Sequence, residues 1–158
     1  MIEDFFRLLA DALMFHSTKI ISNSNLLGVL FDAAYRSLDQ QKSESLIAVL
    51  RFLRDLLAFG SEHPPFSSDS GASTPLPVQE TIKAMIRLKG EVLAARILGG
   101  LMSDFPRDCI PDSSGVLLKM AELEGSSFNT WMQNTMALLP EGSLGEKEIK
   151  KFLEEVNR

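Results

Sequence analysis

Residues 43–60 read SESLIAVLRFLRDLLAFG, and this stretch decides the fold. Its apolar side chains recur at helical spacing and cover a broad arc of the helix: Leu46, Ile47, Val49, Leu50, Phe52, Leu53, Leu56, Leu57 and Phe59. Ser43 is suited to cap the start, and Gly60 to take the left-handed position just past the end. Because a helix this apolar must be packed on at least two sides, we expect the rest of the chain to be a stack of helices around it.

The same helical period continues on both sides of this stretch. Further helices are predicted at about residues 2–15, 25–38, 77–103, 112–123, 126–139 and 143–156. Asp112 is suited to cap one of these helices, and Ser143 with Glu146 forms a capping box for the last. Gly90 makes a kink or break plausible inside the fourth helix. Because no segment alternates as a strand, we predict an all-α fold of about seven helices in stacked antiparallel pairs.

Length, charge and cysteine content limit the class of protein. The chain has 158 residues, 45% of them hydrophobic, with a net charge of −5. That length suits a single domain with a real core, and the negative charge argues weakly against a nucleic-acid surface. Cys109 is the one cysteine, and no apolar run approaches a membrane span, so a soluble intracellular protein is expected. Residues 61–75 are rich in Ser, Pro and Gly, and we predict a flexible loop there inside a single unit, 1–158.

A search for catalytic chemistry finds no motif. His16 and His63 lie far apart, and Cys109 has no patterned partner, so a structural or idle thiol is the better interpretation. Trp131, with Met132 and Met136, could line a ligand groove, but core packing fits this spacing better. Carboxylate pairs such as Glu122 with Glu124, and Glu154 with Glu155, are expected on solvated helix faces. We predict no enzyme, no catalytic residue, no cofactor and no metal site.

Arg51, Arg54 and Asp55 are the polar residues in the middle of the opening stretch. Arg51 with Asp55 is an i,i+4 pair and Arg51 with Arg54 is i,i+3, so all three can share one ridge. One interpretation is a salt bridge within the stack that sets the helix register. The other is a polar stripe facing a bound protein, in which case replacing both arginines by alanine should weaken binding without lowering the melting temperature much. The salt bridge is the commoner role of such pairs.

The helices also carry a repeat. From Asp4, near the start of the first helix, to Glu44, near the start of the third, is about 40 residues, the length of a HEAT-type helix pair. A solenoid explains the broad apolar arcs and the short polar turns. It also predicts that Phe5, Leu9 and Leu13 on the first helix face a preceding repeat, and are partly exposed if the chain begins at Met1.

Three blocks carry a family resemblance. EDFFRLLADAL at 3–13, VLRFLRDLLAFG at 49–60, and FNTWMQNTMALLP at 128–140 followed by KEIKKFLEEV resemble the C-terminal end of transportin-SR and importin-13-like nuclear import receptors, of the importin-β superfamily. Their order and approximate spacing agree over nearly the whole chain. The resemblance implies a HEAT/armadillo-like superhelix formed by the last repeats of a longer receptor.

The resemblance also implies a function. Such receptors shuttle between nucleus and cytoplasm, bind SR-type or RNA-binding cargo proteins, and release them when the GTPase Ran binds. In that family, Ran and Arg-Ser cargo are held mainly by repeats upstream of the region matched here. The implied partners are therefore cargo and Ran in the full-length receptor, with upstream repeats packed on the first helix and no nucleic acid or membrane. The alternative is a free-standing helical adaptor that binds a partner helix in a groove between its own helices.

Overall fold

The computed structural model describes residues 2–40, 42–61, 75–102 and 105–137. Within these ranges the chain forms six α-helices and two short 3₁₀ turns, with no strand. The helices are α1 Ile2–Ser22, α2 Ser24–Arg36, α3 Ser43–Ala58, α4 Leu76–Met102, α5 Ile110–Leu123 and α6 Gly125–Ala137. The 3₁₀ turns are Ser37–Asp39 and Arg107–Cys109. The all-α prediction is confirmed, while the last predicted helix and nearly all of the predicted 61–75 loop lie outside the described residues.

The helices form two layers. In the first layer, α3 lies between α1 and α5 and packs against both. In the second, α4 packs against α6, and the Nζ of Lys89 on α4 reaches the Oδ1 of Asp32 on α2 at 2.9 Å. Helix α4 also packs against α1 and α5, α6 packs against α5, and α2 packs against α1 and α3. This is an all-α helical repeat arrangement, with residues 43–60 at its centre.

The core follows from the apolar arc of α3. Its buried residues point toward α1 on one side and α5 on the other: Leu46, Ala48, Val49, Leu50, Phe52, Leu53, Leu56, Leu57 and Ala58. The ring of Phe52 packs against Phe6 of α1, with centroids 5.6 Å apart. A middle helix buries both flanks because each flank has a neighbouring helix, which accounts for an arc wider than that of a one-sided amphipathic helix.

Several helix ends differ from the sequence prediction. Helix α1 runs on to Ser22, with non-helical backbone angles at His16 that kink it in place of the predicted connection. Lys42, rather than Ser43, occupies the N-cap of α3, without a side-chain hydrogen bond. Asn23 caps α2, because its Oδ1 accepts a hydrogen bond from the Leu26 amide at 3.1 Å. Helix α5 ends at Leu123, and Gly125 is the first residue of α6.

Glycines in this fold serve close packing more than chain reversal. Gly60 does not adopt the left-handed conformation predicted for it; a Cβ there would lie 2.8 Å from the Leu123 side chain. Gly90 lies inside α4, which the structure shows as one continuous helix rather than two. A Cβ at Gly100 would collide with the Phe105 ring. The sequence predicts that Gly90 kinks or breaks its helix. In the structure, a neighbouring side chain occupies the space that a Cβ would need at Gly60, Gly90 and Gly100.

Candidate protein-binding surface

The predicted stripe of Arg51, Arg54 and Asp55 lies where α3 meets α5. The Nε of Arg51 donates to the Oδ1 of Asp112 at 3.3 Å, and the Nη1 of Arg54 lies 3.6 Å from the same oxygen. The Nε of Arg54 is 3.7 Å from the Oδ1 of Asp55. Two guanidinium groups therefore share one carboxylate across a helix–helix contact.

Asp112 does not cap α5 as the sequence predicted. The N-cap is Cys109, and Asp112 lies in the first turn, where the positive end of the helix also favours a carboxylate. Its side chain is 12% exposed, against 60% for Arg51 and 42% for Arg54. The carboxylate is thus nearly buried and depends on both arginines for its pairing. No sequence signal connects Asp112 to residues some sixty positions earlier, so only the packing of α5 on α3 reveals this partner.

Asp55 has a less favourable environment. Burial raises the pKa of its carboxyl above the ordinary value, and the nearby positive charges of Arg54 and Arg51 only partly offset this effect. The ion pair and the burial act in opposite directions, and the length of the pair, 3.7 Å, is consistent with burial prevailing. Asp55 therefore contributes charge balance to the stripe at some cost in stability.

A groove of about 450 Å³ lies beside this stripe, between α1 and α3. Its apolar lining consists of Phe6, Ala10, Ile47 and Ala48. Its charged lining consists of Arg7 and Asp11 from α1, and Glu44, Arg51, Arg54 and Asp55 from α3. The three predicted stripe residues are thus brought together at one concave surface. Whether a partner binds there stays a prediction.

A second surface lies on α1, on the side away from α3. Phe5, Leu8 and Phe15 are 48%, 67% and 81% exposed, and we call these three residues the α1 flank. At about 100° per residue, Phe5 and Leu8 lie on the side of the helix opposite Ala10, which lines the groove against α3. An exposed row of large apolar side chains on one helix indicates a surface that another element covers.

The predicted exposure of the first helix holds in part. Phe5 is exposed, as predicted, and Leu9 is half-buried. The prediction for Leu13 is wrong, because that side chain is only 1% exposed. Leu13 follows Phe6 by seven residues, two helical turns, so both project onto the buried side of α1. The exposed residues that sequence reasoning missed are Leu8 and Phe15. The helical spacing of about 100° per residue would have placed both on the same side of α1 as Phe5.

Other residues considered for chemistry have structural surroundings. Cys109 is buried, and burial, with the negative charges of Asp112, Asp108 and Glu44, raises the pKa of its thiol. Trp131 and Met132 are buried as predicted. Glu124 is not on a solvated face: its Oε1 lies 2.9 Å from the Nε of Arg87, and the side chain is largely buried. His16 is exposed at the kink of α1.

Two absences can be stated for the described ranges. No group of three or more His, Cys, Asp or Glu side chains there could hold a metal ion. None of the helices in the same ranges has the length and apolar character needed to cross a membrane.

Comparison with known proteins gives two relatives. The chain is 35% identical over 158 residues to "Uncharacterized protein C11G11.07" of Schizosaccharomyces pombe, a match that covers 96% of this chain. It is 23% identical over 154 residues to "mRNA transport regulator MTR10" of Saccharomyces cerevisiae, covering 92% of this chain. No family model matches. The chain is similar to a transport regulator over most of its length.

Both relatives are much longer proteins. The matched region spans 16% of the length of each. The similarity therefore concerns one segment of these proteins. It does not by itself bring over what the remainder of either relative does.

Proposed function

We propose that this chain is a HEAT-repeat portion of a nuclear import receptor, equivalent to its C-terminal repeats. It would act by protein–protein binding, without catalysis, in Ran-dependent transport of SR-type or RNA-binding proteins between cytoplasm and nucleus. The observation that carries the proposal is the similarity to a protein named as an mRNA transport regulator, which runs along 92% of the chain. The receptor resemblance of the three sequence blocks points in the same direction.

The architecture supports a role as part of a longer array. Each repeat of a solenoid has two flanks, and each flank is normally covered by the neighbouring repeat. Here α3 is covered by α1 and α5, whereas the α1 flank has no covering helix within the described residues. We propose that a preceding repeat packs on Phe5, Leu8 and Phe15 in the whole receptor. The small share of each relative that the chain matches is compatible with this.

In this proposal the segment works through the curvature of the array. Cargo and Ran bound to one flexible superhelix can be coupled negatively, because each favours a different curvature and so lowers the affinity for the other. The groove between α1 and α3 and the Arg51–Arg54–Asp55 stripe would contribute contact surface. The link between α3 and α5 through Asp112 would transmit a change of spacing between these helices.

The experiment is a binding test with the whole receptor that carries this segment. We expect it to bind Ran loaded with GTP and not Ran loaded with GDP, and to release an Arg-Ser-rich protein when Ran-GTP is added. A matched preparation lacking residues 1–158 of this sequence shows whether the segment contributes. Failure to bind Ran-GTP would exclude the import function.

The second candidate, a free-standing helical adaptor, rests on the groove. A partner helix could lie between α1 and α3, where the lining combines apolar and charged side chains. An adaptor would bind its partner equally well with or without Ran-GTP. The α1 flank favours the receptor segment, because a self-contained adaptor would be expected to cover or replace these apolar residues.

A further inference from the structure

We propose that the groove between α1 and α3 binds a basic segment of a partner protein, with Asp11 and Glu44 pairing with its lysine or arginine side chains. This inference deepens the proposed function. It rests on one part of that proposal, namely that the chain binds a protein partner. It also changes which residues are expected to carry the contact. Arg51 and Arg54 suggest an acidic partner at first sight, whereas the pairing of charges in the structure favours a basic one.

The arginines of the groove are already neutralised. Arg7 pairs with Glu3 one turn earlier, at 2.6 Å. Arg51 and Arg54 share Asp112, and Arg54 also lies near Asp55, so these two positive charges face two carboxylates. At Arg51 and Arg54, an acidic ligand would have to compete with Asp112 and Asp55, whose side chains are only 12% and 20% exposed.

Two carboxylates of the groove are not neutralised. Asp11 and Glu44 are exposed, and neither has an ion-pair partner within the part of the chain that the structure describes. One comes from α1 and the other from α3, so both helices present negative charge to the same concavity. The residual charge of the groove is therefore negative, in the same sense as the net charge of −5 of the whole chain.

The apolar lining of the groove indicates which uncharged side chains the partner segment should carry. Ala10 and Ile47, which are half-buried, provide the accessible apolar lining between the charged residues, while Phe6 and Ala48 are buried. A segment that places an aliphatic side chain on this lining, and a cation on each side of it, would match both features. A nucleic acid would not, because its phosphates would meet Asp11 and Glu44.

The test uses fluorescence anisotropy with the 158-residue chain and two labelled probes. One is a short peptide of alternating leucine and lysine, and the other replaces lysine by glutamate. We expect the lysine peptide to bind and the glutamate peptide to bind at least tenfold more weakly. Tighter binding of the glutamate peptide would assign the groove to acidic partners through Arg51 and overturn the proposal.

Matched variants separate the site from overall charge. Asp11→Asn with Glu44→Gln removes two negative charges, and Glu80→Gln with Asp39→Asn removes two elsewhere, so both double variants change the net charge from −5 to −3. We expect the first to weaken lysine-peptide binding about five- to tenfold, the size expected for two exposed ion pairs, and the second to leave it within twofold. Equal effects in both would show general charge attraction only and refute the site.

A final pair tests the apolar lining without changing charge. Ala10→Trp fills the groove, and Ala84→Trp adds the same ring at an exposed position of α4. We expect binding to be lost only in the first, with Ala10→Gln as a smaller replacement if the tryptophan lowers the melting temperature. Unchanged binding in both position-10 variants would refute docking in the groove. These outcomes are independent of Ran binding by the whole receptor, so the two proposals can fail separately.

Discussion

The indole ring of Trp131 occupies the space in which a side chain at position 90 would begin. A Cβ built on Gly90 would lie 2.6 Å from the Cη2 atom of that ring and 2.7 Å from its Cζ3 atom. This contact joins α6 to α4 in the second layer. It explains why a residue that weakens helices lies in the interior of a helix of 27 residues without breaking it.

Gly90→Ala should therefore destabilise the protein. Alanine raises helix propensity by about 1 kcal/mol, but overpacking against a buried ring costs about 1–3 kcal/mol. We expect a net loss of up to about 2 kcal/mol in the free energy of unfolding, measured by urea denaturation. Gly28→Ala is the control, because nothing lies within 4 Å of a Cβ there, and it should stabilise by up to about 1 kcal/mol. A stabilising Gly90→Ala would mean that Trp131 does not pack on α4.

Replacing both arginines of the stripe should affect stability, as the salt-bridge interpretation of the sequence requires and contrary to the partner-facing interpretation. Arg51→Ala with Arg54→Ala leaves the nearly buried Asp112 without its partners. We expect the free energy of unfolding to fall by about 1–3 kcal/mol, since an unpaired buried carboxylate retains its desolvation cost. Thermal and urea denaturation would measure it. A melting temperature unchanged from the wild type would show that the pairing contributes little.

A double-mutant cycle distinguishes pairing from loss of arginine side-chain packing. Adding Asp112→Asn to the double arginine variant removes the unpaired charge and should restore at least about half of the lost stability. If Asp112→Asn instead adds a further independent loss, the arginines act through packing and not through this carboxylate. Binding assays on the rescued triple variant would then report on partner contact without a stability defect.

The raised pKa of Asp55 predicts how the free energy of unfolding changes with pH. Because its pKa is raised in the folded protein, the folded state binds a proton more tightly than the unfolded state. The contribution of Asp55 to the free energy of unfolding is therefore highest at acidic pH. It falls as the pH rises from the ordinary aspartate pKa through the raised pKa of the folded state. We expect the stability of Asp55→Asn relative to the wild type to increase from about pH 4 to about pH 7, measured by urea denaturation at each pH. A variant whose relative stability decreases as pH rises would contradict the burial effect.

Polar substitutions on the α1 flank should reduce self-association of this chain without changing its stability much. Phe5→Gln with Leu8→Gln removes exposed apolar surface, so the free energy of unfolding of this chain should change by less than about 1 kcal/mol, while self-association at high concentration should decrease. Leu76→Gln with Leu118→Gln, two exposed leucines on different helices, is the matched control. Sedimentation velocity over a concentration series measures the association. In the whole receptor, the flank variant should lower stability and the control should not.

The sequence predicted the candidate site only partly, and the reason is the range of the contacts. Arg51, Arg54 and Asp55 could be grouped because they lie within two turns of one helix. Asp11 and Asp112 could not be joined to them, because helical periodicity says which side of a helix a residue occupies but not which other helix it meets. Glu44 lies on the same ridge as Arg51, seven residues earlier, and the spacing alone could have added it.

The amino-acid sequence by itself determined the helical class, the order of the helices and the central place of α3, because local periodicity and the width of an apolar arc encode how many sides a helix must bury. It did not determine the ends of the helices, where capping competes with packing, nor the reason for Gly60 and Gly90, whose neighbours come from other helices. Only the tertiary structure decided that Asp112 neutralises the arginine stripe. Asp11 and Glu44 remain the unpaired charges of the groove, because which charges stay free depends on contacts between helices that are distant in sequence.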